Sequence, residues 1–243
     1  MKGIILSGGQ GTRLHPLTKI TSKQLLPIYD RPMILYPLQT LLDAGIKEIM
    51  IIVAPERAGD YLNLLGSGAA YGARFTYEIQ EKPMGLAQAF HIADYFIGDD
   101  NVALILGDNI FGDDLTEHIK SFKGGARIFA KEVPDPHRFG VVKFNESGKA
   151  EKIVEKPKDF ISNYAITGLY LYDKNVVGAA KSLKPSERGE LEIVDLHNWY
   201  LQRGELDVIV IDGEWIDAGT HDSLFKANEL MYNRAKNGKQ KSL

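Results

Sequence analysis

Residues 2–18 read Lys-Gly-Ile-Ile-Leu-Ser-Gly-Gly-Gln-Gly-Thr-Arg-Leu-His-Pro-Leu-Thr, and the fold turns on them. The apolar run from Gly3 to Leu6 predicts a short buried strand, which breaks at once into a glycine-rich turn carrying Arg13. Glycines let a backbone approach a ligand and turn its N–H groups inward, which makes an anion cradle. The carboxyl end of a first strand is also where open α/β sheets take nucleotides. Two common phosphate fingerprints do not fit. Counting G-x-G-x-x-G from Gly9 puts Leu14 where the last glycine belongs, and no Gly-Lys-Ser/Thr follows at P-loop spacing. Alone, the turn supports only an anion site or a tight turn with a solvated arginine.

Outward from this turn, short apolar runs alternate with longer helical periods. Strands are predicted at Glu48–Ala54, Phe75–Gln80, Val102–Leu106, Arg127–Glu132, Val141–Phe144, Lys152–Glu155, Tyr164–Tyr172 and Leu206–Ile211. The runs Ile49–Val53 and Val102–Leu106 are apolar throughout, as befits strands covered on both faces. Helices are predicted from Pro32 to a stop at Gly45, from Leu86 to about Phe96 and from about Leu115 to Phe122. Two more are predicted from Leu191 to Arg203 and from about His221 to Ala235, with a polar, frayed tail over Asn237–Leu243. The alternation implies right-handed βαβ units and a mostly parallel sheet flanked by helices. The strand-after-strand stretch from Arg127 to Tyr172 predicts a β-rich insert or antiparallel edge. The expectation is one domain over 1–243 with two lobes, about 1–125 and about 126–220.

Composition narrows the class. With 243 residues, 44% hydrophobic and 25% charged, the chain is of globular type and long enough for a substantial core. A net charge of −3 without a basic stripe argues against nucleic acid as the main partner. No run approaches a membrane span, and Ile4–Leu6 is too short for a signal peptide. The absence of cysteine removes disulfides and thiolate chemistry and fits a reducing, cytoplasmic setting. Asn145-Glu146-Ser147 matches a glycosylation acceptor, which has no weight without a secretory signal. The six histidines, at 15, 91, 118, 137, 197 and 221, lack metal-ligand spacing and read as surface or near-site residues.

The turn from Gly8 to Thr18, followed by Lys23-Gln-Leu-Leu-Pro27, resembles the signature of the sugar nucleotidyltransferases. Further segments agree in order: Gly85-Leu-Ala-Gln-Ala-Phe90, Leu106-Gly-Asp-Asn109, Asp135-Pro-His-Arg-Phe-Gly-Val141 and Glu155-Lys-Pro157. Asn163-Tyr-Ala-Ile-Thr-Gly168, Arg188-Gly-Glu-Leu-Glu192 and Trp215-Ile-Asp-Ala-Gly-Thr-His221 complete the set. The resemblance implies a Rossmann-like fold with a β-rich sugar-binding lobe, and a homo-oligomer, tetramer or dimer. It implies Mg²⁺-dependent transfer of a thymidylyl group from dTTP to glucose-1-phosphate, opening dTDP-rhamnose-type synthesis, with uridylyl transfer or another hexose-1-phosphate as the alternative. Well-known members carry further C-terminal helices that help to build a regulatory site; this sequence ends at Leu243 without them, which leaves end-product regulation an open question. Members often have tyrosine where Phe139 stands, one hydroxyl fewer near the sugar.

The chemistry asked of these residues is consistent. A phosphate monoester has a second pKa of about 6, so the attacking sugar phosphate is already largely a dianion and needs no general base. Positive charge and positioning must carry such a reaction. Arg13, inside the glycine turn, can grip phosphate oxygens with its guanidinium fork, and Lys23 is a point charge within reach of the same phosphates. Asp108, after a fully apolar strand, is placed to hold Mg²⁺; its local sequence also suits a cap or turn, as does that of Asp217. The resemblance pairs Asp108 and Asp217 as metal ligands. It gives Gly8, Gly9, Gly11, Thr12, Arg13, Lys23, Gln80, Gly85 and Asp108 to the nucleotide. It gives Asn109, Gly140, Glu155, Lys156, Ile166 and Arg188 to the sugar phosphate, although Glu155 and Lys156 alone read as an exposed strand end. Pro157 should hold Lys156 in extended geometry. Gln80 suits a pyrimidine edge, which thymine and uracil share. A non-catalytic sugar-nucleotide sensor and a nicotinamide-dependent oxidoreductase are the rival readings. The first could dispense with Asp108 and Asp217, and the second is weakened by the failed glycine fingerprint.

Overall fold

In a computed structural model that describes residues 1–9 and 11–238, strands and helices alternate through the first half. In chain order the first elements are β1 (Lys2–Ser7), β2 (Pro27–Ile28), β3 (Arg31–Pro32), α1 (Leu35–Asp43), β4 (Glu48–Val53), α2 (Ala58–Leu65) and β5 (Arg74–Ile79). Next come α3 (Gln88–Ile92), α4 (Asp94–Ile97), β6 (Val102–Leu106), β7 (Asn109–Phe111), α5 (Thr116–Lys120), β8 (Ala126–Glu132), β9 (Gly140–Phe144), β10 (Ala150–Glu155) and β11 (Tyr164–Tyr172). The chain continues through α6 (Val176–Ser182), α7 (Ile193–Leu201), β12 (Leu206–Val210), β13 (Trp215–Asp217) and α8 (His221–Lys236).

Nine strands form one mixed sheet. Its main path runs β10-β9-β11-β6-β1-β4-β5, with β8 on the other edge of β11 and β12 beside β8. The β6-β1-β4-β5 run is parallel, whereas β11 is antiparallel to β6, β8 and β9. The predicted antiparallel insert is therefore built onto a parallel sheet, and the sheet continues across residue 125. Crossovers from β1 run one way to β4 and β5, and then back past β1 to β6. That reversal leaves a crevice at the carboxyl ends of β1 and β6.

The all-apolar strands are covered on both sides. Met50 and Ile52 of β4 face a core formed with α3, α4, α6 and α7, while Ile49, Ile51 and Val53 face α1 and α2. Each such side chain, fully buried, stabilises the fold by about 1.5–3 kcal/mol. A third, smaller core of Ile28, Met33, Ile110, Ala218, Ala227 and Met231 seats α8 against β2 and β13.

Several elements depart from the sequence reading. The helix expected at Pro32 begins at Leu35, because Met33 N–H donates to Leu26 O at 3.0 Å and Ile34 N–H to Gln24 O at 2.8 Å, which keeps that segment folded back. The stop at Gly45 stands, with φ +81. The helix expected over Leu86–Phe96 is two short ones divided at Ala93. Helices α2 and α6 and the short strands β2, β3, β7 and β13 are not apparent in the pattern. Of the tail, Asn237 and Gly238 close α8 and residues 239–243 lie outside the described residues. Among the described residues no helix is long and apolar enough to cross a membrane.

Candidate active site

The parallel register of β1 and β6 places Leu6 opposite Leu106, so the glycine turn and Asp108 leave the sheet side by side. A Cβ on Gly107 would lie 2.3 Å from Ser7 Oγ, so this junction needs a residue without a side chain. Directly beyond it, β7 pairs with β13 and sets Asn109 opposite Asp217, and Ala218 N–H donates to Asp108 O at 2.9 Å. Two carboxylates more than a hundred residues apart in sequence are thereby brought together. Thr220 and Ser223 form a capping box that starts α8 just past Asp217.

Lys23 joins this pair from a 3₁₀ turn and forms an ion pair with Asp108 Oδ2. Burial opposes the charge on both partners, yet their attraction prevails: the Asp108 carboxyl is held below its ordinary pKa and the Lys23 ammonium above its own. Asp217 is different. Burial first, and the Asp108 charge second, raise its pKa to about 6, against the opposing pull of Lys23 and Arg13. Although the residue as a whole is only half-buried, its Oδ1 is sealed from solvent and has no hydrogen-bond partner. The Arg13 guanidinium lies at the same spot, with Nη2 3.2 Å from where a Cβ on Gly219 would stand.

Two clefts meet here. A larger one of about 350 Å³ is lined by Gly8, Gly9, Lys23, Gln80, Gly85 and Asp108, together with Arg188 and Glu192. A smaller one of about 150 Å³ is lined by Asn109, Gly140, Ile166 and Asp217, with Phe139, Trp215 and Tyr170. Glu155 and Lys156 line both. Thr12 and Arg13 belong to a 3₁₀ turn over Thr12–Leu14, entered by Gly11 at φ +64, and none of these three residues lines either cleft. Arg188 borders the larger cleft and not the smaller.

In the larger cleft Gln80 packs so closely on the turn that a Cβ on Gly8 would lie 2.0 Å from its Oε1. Its amide is oriented from behind. Gln88 Oε1 accepts the backbone N–H of Met84 at 2.9 Å, so the Gln80 atom that faces that oxygen at 2.8 Å must be the donor, Nε2. Gly85, at φ +99, lies so close to Leu191 that a Cβ would come within 2.4 Å of its carbonyl oxygen; Leu191 N–H donates to Met84 O at 2.7 Å. This backbone pairing fixes a loop that borders the larger cleft.

One expectation needs correction, and two other residues have surroundings that the sequence does not show. Lys156 is not extended: its φ is +41, in the left-handed region, despite the following proline. Lys156 N–H donates to Phe139 O at 3.0 Å, extending the β9–β10 pairing, and this tertiary bond overrides the local preference. Arg188 is no free cation. Glu192, buried at the N-terminus of α7, accepts from its Nη2 at 2.8 Å and its Nε at 3.1 Å, and Glu155 lies 3.4 Å away. His197 is not near the surface but fully buried, beside Tyr170 and Tyr172. The sequence reading also leaves out Glu192 and Gln88, whose only signal is their place in the quoted motifs. It places Phe139 near the sugar but leaves out Trp215, whose ring centre lies 5.1 Å from that of Phe139 in one aromatic wall.

A crevice where two carboxylates, a lysine and an arginine meet at the reversal of a mixed α/β sheet is suited to bringing anionic phosphates together. The sequence profile of the nucleotidyl transferase family matches residues 2–234, and the chain belongs to that family. Among its relatives, the glucose-1-phosphate thymidylyltransferase of Neisseria meningitidis serogroup A is 53% identical over 93% of this chain and 81% of its own length. A Bacillus anthracis protein assigned to the same activity, solved with sucrose bound, is 47% identical with a TM-score of 0.92 over 100% of this chain and 97% of its own. A UDP-glucose pyrophosphorylase solved with UDP-glucose is 25% identical with a TM-score of 0.84, over 96% of this chain and 98% of its own.

Proposed function

We propose that the chain transfers the thymidylyl group of dTTP to glucose-1-phosphate and releases pyrophosphate, using Mg²⁺ at Asp108 and Asp217. The observation that carries this reading is that the two clefts meet at Glu155 and Lys156, with Asp108 lining one and Asp217 the other. The names of the relatives supply dTTP and glucose-1-phosphate. We read one nucleotidyltransferase domain, with residues of about 1–125 serving the nucleotide and about 126–220 the sugar, in a homo-oligomeric assembly that light scattering would detect.

The donor set fits Mg²⁺. Asp217 Oδ1 is a sealed carboxylate oxygen with no partner beside a second carboxylate, and no cluster of three or more potential ligand side chains occurs among the described residues. One or two carboxylates completed by substrate phosphates is the arrangement that Mg²⁺ favours. The bound ion would supply positive charge to the α-phosphate under attack and to the departing pyrophosphate. Lys23, kept charged by Asp108, meets an incoming triphosphate with its ammonium already in the cleft. Arg13 offers a guanidinium beside Asp217, and Lys156 sits at the junction to hold the sugar phosphate in line. Glu155 accepts from sugar hydroxyls, and Gly140 and Ile166 border the ring. The nucleophile arrives as a dianion, so no residue has to remove a proton.

The test is a matrix of pyrophosphate-release rates with dTTP and UTP, each against several hexose-1-phosphates, with and without Mg²⁺. The expected maximum is dTTP with glucose-1-phosphate and Mg²⁺. A larger kcat/KM for UTP would overturn the choice of nucleotide, an alternative favoured by the likeness to the UDP-glucose pyrophosphorylase. No release with any pair would leave a binding protein in place of an enzyme.

A further inference from the structure

Asn109 opens β7 with 2% of its surface exposed, and its amide is the hub of a buried hydrogen-bond network. Its Oδ1 accepts from Gly168 N–H at 2.9 Å and from the Trp215 indole Nε1–H at 2.7 Å. Both partners are donors only, so the orientation of the amide is forced. Nδ2 must point the other way, and it donates to Asp108 Oδ1 at 3.0 Å. The seat is cut to size. β11 shifts register between Ile166 and Tyr170, and a Cβ on Gly168 would lie 2.5 Å from Asn109 Cγ. Asn109 thus spends both acceptor lone pairs and one N–H on the protein, and keeps at most one N–H for a sugar.

The two oxygens of Asp108 are held by donors of opposite character. Oδ2 faces Lys23, a charged group on a flexible stem that a phosphate can draw away. Oδ1 faces Asn109, a neutral donor that its own two partners lock in place. A neutral donor fixes the carboxylate without cancelling the charge that a cation needs. We propose that Asn109 is the positioning residue for Asp108, and that through it the Trp215 wall of the smaller cleft is coupled to the metal-binding carboxylate. This rests on the reading of Asp108 and Asp217 as the Mg²⁺ pair. Trp215 and Asp217 are two residues apart on β13 and therefore share a face. The sugar-side wall reaches both carboxylates, one along the strand and the other across Asn109.

The test titrates Mn²⁺ alone into the 243-residue protein, followed by electron paramagnetic resonance, and compares steady-state kinetics. Partners that orient a metal ligand change metal affinity by about 10–100-fold, so Asn109→Ala should weaken Mn²⁺ binding by about that factor and lower kcat. KM for glucose-1-phosphate should stay within about twofold, because a lost transition-state interaction lowers kcat without a matching rise in KM. Trp215→Phe keeps Asn109 but removes one of its anchors. It should weaken Mn²⁺ binding in the same direction by a smaller factor, and it decides the matter alone if Asn109→Ala does not fold. If both variants bind Mn²⁺ as the parent does and the loss falls on KM for glucose-1-phosphate, Asn109 is a sugar contact and the coupling is refuted. A parent that neither binds Mn²⁺ nor releases pyrophosphate refutes the site reading and this inference with it. A parent that does both, matched by both variants, refutes only the positioning role.

Discussion

Replacing Asp217 by asparagine should make the metal-free protein more stable while abolishing turnover. The structure holds this carboxylate at a pKa of about 6, raised from 3.8 by burial and then by Asp108. A shift of roughly two units, at about 1.4 kcal/mol each, costs the folded state about 3 kcal/mol once the group is ionised. The sign follows from where the proton sits. Below the unfolded value both states are protonated and nothing is lost; between that value and about 6 the unfolded chain ionises while the native state keeps its proton, so stability falls, and above about 6 the loss is complete. Asparagine carries no charge, but an amide with incomplete partners takes back about 1 kcal/mol, leaving a gain of about 2 kcal/mol. For a chain of this size that corresponds to a rise of about 4–8 °C in Tm. The assay is calorimetry of parent and variant in EDTA, at pH 8 and again near pH 4. The gap should be full at the higher pH and nearly closed at the lower, and added Mg²⁺ should raise only the parent's Tm. A variant no more stable than the parent at pH 8, or a gap that persists unchanged near pH 4, would refute the reasoning.

Three other substitutions probe the rest of the site and the core. Gly85→Ala would drive a methyl into the Leu191 carbonyl at a positive φ, so it should cost about 1–3 kcal/mol and raise KM for dTTP; unaltered Tm and KM would show that the loop gives way freely. Arg13→Lys keeps the charge and loses the two-pronged grip, so kcat/KM for dTTP should fall by about tenfold or more with Tm unchanged; full retention of activity would demote Arg13 to a bystander. Burial presses the His197 pKa down to about 3 from 6.5, so the fold requires it neutral and loses stability as pH falls below 6.5, by at most about 1.4 kcal/mol per pH unit. His197→Leu replaces two ring nitrogens that have no partners. Its chemical-denaturation midpoints should match the parent near neutrality and decline less in acid; superimposable pH profiles would contradict a buried neutral imidazole.

What the sequence makes legible is whatever is locally uniform. The runs at Ile4–Leu6, Ile49–Val53 and Val102–Leu106 announce covered strands because every residue in them is apolar, and β6 and β11 carry the predicted bounds. Helices α2 and α6 escape notice because Gly59 and the Val176-Val177-Gly178 start blur their periodicity. Strands β7 and β13 span three residues each, too short for any pattern, yet their pairing is what brings Asp217 to Asp108. The candidate site is legible as a list of residues through its resemblance to a family, but not as geometry. The pair of Arg188 with Glu192 is local, four residues apart, and still lacks a periodic signature. The left-handed turn of Lys156 and the orientation of Asn109 toward Asp108 are set by long-range hydrogen bonds from and to Phe139, Gly168 and Trp215, which no local propensity encodes.

The locked amide of Gln80 has a consequence for which bases the proposed reaction can use. Because Met84 makes the Gln88 oxygen an acceptor, Gln80 commits one N–H of its amide to Gln88 and turns its oxygen toward the glycine turn. A pyrimidine read there through ring nitrogen 3 must bring its own hydrogen. Thymine and uracil carry one, whereas cytosine has a lone pair at that atom and would have to be read through its amino group or the second N–H of Gln80. In the proposed reaction, preference for a keto over an amino pyrimidine would thus rest partly on Gln88, which orients Gln80 from behind, while the choice between the two keto pyrimidines would fall to other groups.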